Sequence, residues 1–107
     1  MGFFDFFKQP DIHEGVKEFH QQEGAILLDV RTPQEYRSGS IPGSKNLPLQ
    51  DIDNAESIVE NKDTALYVYC QSGARSRQAV SILQRMGYSN VKNIGGIAAY
   101  RGKVESV

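Results

Sequence analysis

The sequence predicts an α/β fold built on a parallel sheet, and three observations carry that expectation. Residues 25–30 (AILLDV) and 65–69 (ALYVY) are short continuous apolar runs, the pattern of strands buried on both faces. Segments with apolar residues at helical spacing precede, separate and follow them. The connections are short, so strands alternate with helices along the chain, as parallel strands joined by helical crossovers do. Ligands in such sheets bind where the carboxyl ends of strands meet helix N-termini. The single cysteine, Cys70, stands at one of those points.

Each element has its own local reason. Ile12, Val16 and Phe19, with His20, fall at helical spacing behind Asp11, which offers an N-cap, and that segment stops at Glu23 and Gly24. After the strand at 25–30, Thr32 offers an N-cap, Pro33 takes the first helical position and Glu35 has the capping-box spacing, so a short helix runs through Tyr36 and ends near Gly39. Residues 41–48 hold two prolines and a glycine and read as a turn with a brief strand around 45–47. The acidic segment 51–60 places Ile52, Ala55, Ile58 and Val59 at helical spacing, which predicts a helix. The strand at 65–69 runs directly into Cys70. From Ser76, the positions of Ala79, Val80, Ile82, Leu83 and Met86 mark a helix of about three turns, ended by Gly87. A strand over 91–94, a break at Gly95 and Gly96, and a short helix through Tyr100 complete the pattern.

Size and composition bound the possible functions. The chain has 107 residues, and independent cores need roughly 50 residues or more each, so residues 11–107 are read as one domain. Residues 1–10 are read as an N-terminal aromatic segment carrying Phe3, Phe4, Phe6 and Phe7, most simply docked on the domain itself. Apolar residues make up 39% and glycines number ten, a globular composition that excludes disorder and collagen-like structure. With 12 Lys and Arg against 13 Asp and Glu, no basic face of the size needed for nucleic acid is available. One cysteine cannot form an internal disulfide or furnish a thiolate-rich zinc site. No apolar run approaches the roughly 18–20 residues of a membrane span. The N-terminus, interrupted by Asp5 and without a basic start or small-residue cleavage site, does not read as a signal peptide, so a reducing cytoplasm is the expected location.

The lone thiol is either core filler or chemistry, and its context decides. The stretch from Cys70 through Gln71, Ser72, Gly73, Ala74, Arg75 and Ser76 must reverse direction between a buried strand and an amphipathic helix, and Gly73 permits the dihedrals this requires. Peptide N–H groups turned inward there form an anion nest ending in a helix N-terminus. An unperturbed thiol of pKa about 8.5 is only about 3% ionised at pH 7, so such a nest changes its reactivity. Arg75 adds a permanent charge with a fork suited to a bidentate anion. A core thiol has no need of a polar, glycine-containing loop.

Four stretches, LLDVRTPQEY (27–36), GSIPGSKN (39–46), YCQSGARS (69–76) and GYSNVKNIGG (87–96), occur in an order that resembles the single-domain rhodaneses over roughly residues 12–102. The resemblance implies a rhodanese-like α/β fold with a five-stranded parallel sheet flanked by helices on both faces. It also implies a sulfurtransferase in which Cys70 carries sulfur as a persulfide, without cofactor or metal. The donor is then a small molecule such as thiosulfate, held by the loop from Gln71 to Ser76 and by Arg75, with Arg31 near enough to reach its anionic end. Cyanide, a small thiol or a thiol-bearing protein is the acceptor. The loop is one residue shorter than in the cysteine-dependent phosphatases this fold resembles, which favours sulfur over a tetrahedral oxyanion. Absence of a second cysteine argues against an arsenate-reductase cycle. The alternative is a non-catalytic rhodanese-like module that delivers sulfur or binds proteins.

Several other residues have structural readings. Asp29 is expected to bond backbone amides and Arg31 to pair with Glu35, four positions on. Two-domain relatives can carry a substrate-contacting arginine where this chain has Glu35, which weakens the case for thiosulfate as donor. His13 and His20 read as helix-surface histidines, and Tyr100 as a packing residue.

Overall fold

The computed structural model describes residues 10–107, so the expectation for Phe3, Phe4, Phe6 and Phe7 lies outside the described residues. Helix α1 (Ile12–Gln21) is capped by Asp11, whose side chain accepts the His13 N–H. Strand β1 (Ile26–Asp29) leads to helix α2 (Pro33–Ser38), where Thr32 and Glu35 form a reciprocal capping box with Pro33 in the first turn. Strand β2 (Ser44–Asn46) is followed by a 3-10 helix (Leu49–Ser57), strand β3 (Leu66–Cys70), helix α3 (Ala74–Arg85), strand β4 (Val91–Gly96) and a 3-10 turn (Ile97–Ala99).

The strands form one parallel sheet in the order β2-β1-β3-β4. Period-two alternation sends neighbouring side chains into separate cores on the two faces. Leu28, Val30, Leu66, Val68 and Cys70 meet Ile52 and Ala55 of the 3-10 helix, Val59 just after it, and Ala79 and Leu83 of α3. Leu27, Tyr67 and Tyr69 meet Ile12 and Val16 of α1, together with Ile41 and Ile94. Burial of both faces is why β1 and β3 read as unbroken apolar runs. Each fully buried Leu or Val contributes roughly 1.5–3 kcal/mol, so the two cores fix the sheet register and thereby the end of β3 where Cys70 sits.

The structure corrects four expectations. Among the described residues the sheet has four strands, not five; outside them the β pairing there is a single antiparallel bridge between Ser40 and Glu105. The brief strand lies at Ser44–Asn46, shifted by one residue. The acidic segment is a 3-10 helix beginning at Leu49 behind Pro48, with non-helical dihedrals at Asp51. Its apolar positions Leu49, Ile52 and Ala55, continued by the C-cap Ile58, recur every three residues, the 3-10 period, while Asp and Asn inside it are poor α-helix formers. Finally, Gly95 and Gly96 continue β4 beside Tyr69 and Cys70 after a register shift at Val68/Tyr69, rather than breaking it.

Candidate active site

Cys70 is the last residue of β3, and α3 begins four residues later. Gly73 caps that helix with φ +101°, the left-handed conformation that costs glycine little, and it turns the loop back over the sulfur. Gly96 of β4 is needed for a different reason. A Cβ there would collide with the Gln71 carbonyl and the Ser72 Cα, so the loop can lie against β4 only because position 96 has no side chain. The Gln71 carbonyl also accepts the Ala98 N–H at 3.1 Å, tying the loop to the turn after β4.

The loop aims its donors at the thiol. Cys70 Sγ accepts the Gly73 N–H at 3.0 Å and the Ser76 N–H at 3.4 Å, and the Ser76 Oγ lies 3.5 Å away. Cys70 is 1% exposed. Burial alone pushes the thiol up, but the Ser76 hydroxyl and the amides of Ser76, Gly73 and Ser72 outweigh it and hold the thiol below its ordinary value.

Two ion pairs flank this nest. Arg31, 4% exposed, donates through Nε and Nη2 to Asp29, through Nη2 to the Gly39 carbonyl at 2.7 Å, and through Nη1 to Gln71 Oε1 at 3.2 Å. Asp29 also accepts the Arg31 N–H at 2.9 Å. Arg31 thus braces the end of β1 against the first loop residue. The partner of Glu35 is Arg75 rather than Arg31, because Asp29 is closer to Arg31. Arg75 Nη1 and Nη2 donate to the two Glu35 carboxylate oxygens at 2.7 and 3.0 Å, a bidentate pair with each side chain about one-third exposed. The Arg75 guanidinium brings the Glu35 carboxyl from 4.5 down to about 2. A cleft of about 220 Å3 lies beside this pair, lined by Val30, Thr32, Pro48, Leu49, Gln50 and Arg75.

Of the residues singled out from sequence, Gly73 and Ser76 bond the Cys70 sulfur, Gln71, Ser72 and Ala74 complete the loop over it, the Arg75 side chain turns to Glu35, and Arg31 reaches the loop through Gln71. His13 of α1 and Tyr100 lie elsewhere, stacked on each other. Sequence reasoning missed Asn93. Its Oδ1 accepts the Ser76 hydroxyl at 2.7 Å and the Gly95 N–H at 3.0 Å. The signal that could have found it is a polar residue inside a strand, separated by one buried apolar residue from two glycines. Sequence reasoning also missed that Glu35, recognisable as a cap residue, binds Arg75.

A thiol nest of this kind on this fold invites comparison with known proteins. The sequence model of the rhodanese-like domain matches residues 13–103. The chain is 38% identical over 71 residues to thiosulfate sulfurtransferase PspE of Escherichia coli (strain K12), covering 65% of this chain and 68% of that one. It is 43% identical over 79 residues to a sulfurtransferase of Allochromatium vinosum, covering 73% of each. A solved structure described as a rhodanese with anions from E. coli superposes with TM-score 0.72 at 32% identity, over 78% of this chain and 99% of that one. The Alr3790 protein from Anabaena superposes with TM-score 0.80 at 31% identity, over 91% and 81%. Fold, motif order and these matches agree, and the chain belongs to the rhodanese-like family.

Proposed function

We propose that this chain is a sulfurtransferase that moves a sulfane sulfur from a donor such as thiosulfate to a thiophilic acceptor through a persulfide on Cys70. The observation that carries the reading is the sulfur itself, at the N-terminus of α3 with the Gly73 and Ser76 amides directed at it. In the first step the Cys70 thiolate attacks the outer sulfur of thiosulfate. A new S–S bond forms, the bond within thiosulfate breaks, and sulfite leaves with its electron pair. In the second step cyanide or a thiolate attacks the outer sulfur of the persulfide and Cys70 departs as thiolate, which gives ping-pong kinetics. The same amides serve both steps because both end with negative charge on sulfur. Names of relatives support the reaction class: besides PspE, a human protein 32% identical over 94 residues is named thiosulfate:glutathione sulfurtransferase.

Arg75 receives the donor's anionic end in this reading, and to do so it exchanges Glu35 for the donor. Arg31 acts on binding through the position of Gln71, since its Nε and Nη2 hydrogens go to Asp29 and the Gly39 carbonyl and one Nη1 hydrogen goes to Gln71. The acceptor is cyanide, a small thiol or a protein thiol, and the reducing cytoplasm is the proposed place of action, where a lone thiol stays available. Among the described residues no helix is long and apolar enough to cross a membrane. Thiocyanate formation from thiosulfate and cyanide tests the proposal: wild type forms it, and Cys70→Ser, nearly isosteric but not ionised at neutral pH, forms none. Turnover by Cys70→Ser contradicts it, and no turnover by well-folded wild type favours the binding-module reading, to which the near-complete burial of Cys70 and the closed Arg75–Glu35 pair lend support.

A further inference from the structure

The Ser76 hydroxyl has one proton and three neighbours that compete for it. Asn93 Oδ1 is 2.7 Å away, the Gly73 carbonyl 3.1 Å, and Cys70 Sγ 3.5 Å. The orientation of the Asn93 amide is fixed independently. The Gly95 N–H needs an acceptor and finds Oδ1 at 3.0 Å, while Asn93 Nδ2 points to the Gly73 carbonyl at 3.5 Å. With Oδ1 facing Ser76, the hydroxyl must donate to Asn93, since a carbonyl oxygen cannot donate. Ser76 is then left with lone pairs toward the sulfur, the arrangement that accepts from a thiol S–H. A thiolate needs the opposite: the hydroxyl proton turned onto Sγ and away from Asn93. Ser76 is fully buried, so no solvent offers a substitute partner.

From this we infer that Asn93 is a positioning residue that holds the Ser76 proton and so sets the ionisation of Cys70, stabilising the resting thiol against the thiolate. Each departure of charge from Cys70 returns the proton to Asn93, and each return of charge draws it back to the sulfur, so one hydroxyl rotation accompanies each half-reaction. The inference rests on Cys70 being the working nucleophile, but its readout, thiol alkylation, does not require sulfur transfer and so fails or succeeds separately. The charge coupled to Cys70 is that of Arg75 on α3, which pairs with Glu35 of α2, while Arg31 pairs with Asp29 and reaches the loop through Gln71; Asn93→Ala changes none of these groups.

The experiment is the rate of alkylation by iodoacetamide against pH for wild type, Asn93→Ala, Ser76→Ala and the double variant. Losing the shorter of the two competing hydrogen bonds, with the Gly73 carbonyl still 3.1 Å from the hydroxyl, is expected to speed Asn93→Ala by roughly two- to tenfold at pH 7, with the profile displaced to lower pH. In the Ser76→Ala background Asn93→Ala is expected to change nothing. A profile that stays in place or moves to higher pH in Asn93→Ala, or an equal shift with Ser76 absent, overturns the inference. Should Asn93→Ala fail to fold, Asn93→Asp keeps the acceptor for Gly95 and binds the Ser76 proton more tightly. It must then slow alkylation at pH 7, by an amount that shrinks when Ser76 is alanine. An unchanged rate, or the same slowing in both backgrounds, overturns the inference.

Discussion

Freeing Arg75 from Glu35 should improve the use of an anionic donor, the reverse of what loss of an active-site carboxylate does in most enzymes. Glu35→Gln leaves the capping box intact, because glutamine serves at that position as well as glutamate. In the proposed reaction, thiosulfate displaces a bidentate carboxylate from Arg75 Nη1 and Nη2. Both partners are about one-third exposed, so solvent screening reduces the pair to about 1 kcal/mol. The Glu35 charge adds about 1 kcal/mol of repulsion on a dianion at about 8 Å in a water-like medium. Together these predict a rise in kcat/KM for thiosulfate of roughly 10- to 30-fold in Glu35→Gln. Arg75→Ala should move the same quantity down by about 10- to 150-fold, the loss of a charge-assisted contact. The assay is thiocyanate formation over a range of thiosulfate concentrations, with iodoacetamide alkylation as a control that senses the thiol but not donor charge. An unchanged or lower kcat/KM in Glu35→Gln, with alkylation unaffected, refutes competition and makes Glu35 a residue that orients Arg75 for the donor.

Two further outcomes follow from the same contacts. The Glu35 carboxyl titrates at about 2 when folded against 4.5 in the unfolded chain, so its stabilisation is fully present above pH 4.5 and is lost as the pH falls toward 2; denaturant melts of wild type and Glu35→Gln should differ by about 1 kcal/mol at pH 7 after screening, and the difference should vanish in acid. Gly96→Ala puts a methyl against the Gln71 carbonyl and Ser72 Cα, so thermal melts should register roughly 1–3 kcal/mol of overpacking while sulfur loading of Cys70 falls further than stability does.

The parts of the fold legible in the sequence are those where local pattern and burial agree. The runs at 25–30 and 65–69 became β1 and β3 because both faces of each are covered, and Thr32, Pro33 and Glu35 set the start of α2 through contacts within four residues. The acidic segment was read as an ordinary helix because Ile52, Ala55, Ile58 and Val59 fit a mixed three- and four-residue spacing, which hid the three-residue period that starts at Leu49. Strand β4 was cut short because glycines usually weaken strands, whereas here close approach of the Cys70 loop requires one. In the site, the nest was legible because it is contiguous from Cys70 to Ser76. The Glu35–Arg75 and Asn93–Ser76 contacts were not, since they join residues 40 and 17 positions apart, and no local rule pairs them.

The most direct test of the central claim follows the outer sulfur. Thiosulfate isotopically labelled at its outer sulfur is mixed with the reduced protein, and intact-mass analysis with peptide mapping is run before and after cyanide is added. One added sulfur atom per chain is expected, carrying the label, located on Cys70, and removed by cyanide as labelled thiocyanate. No mass gain by the folded protein, or a gain that persists in Cys70→Ser, contradicts it.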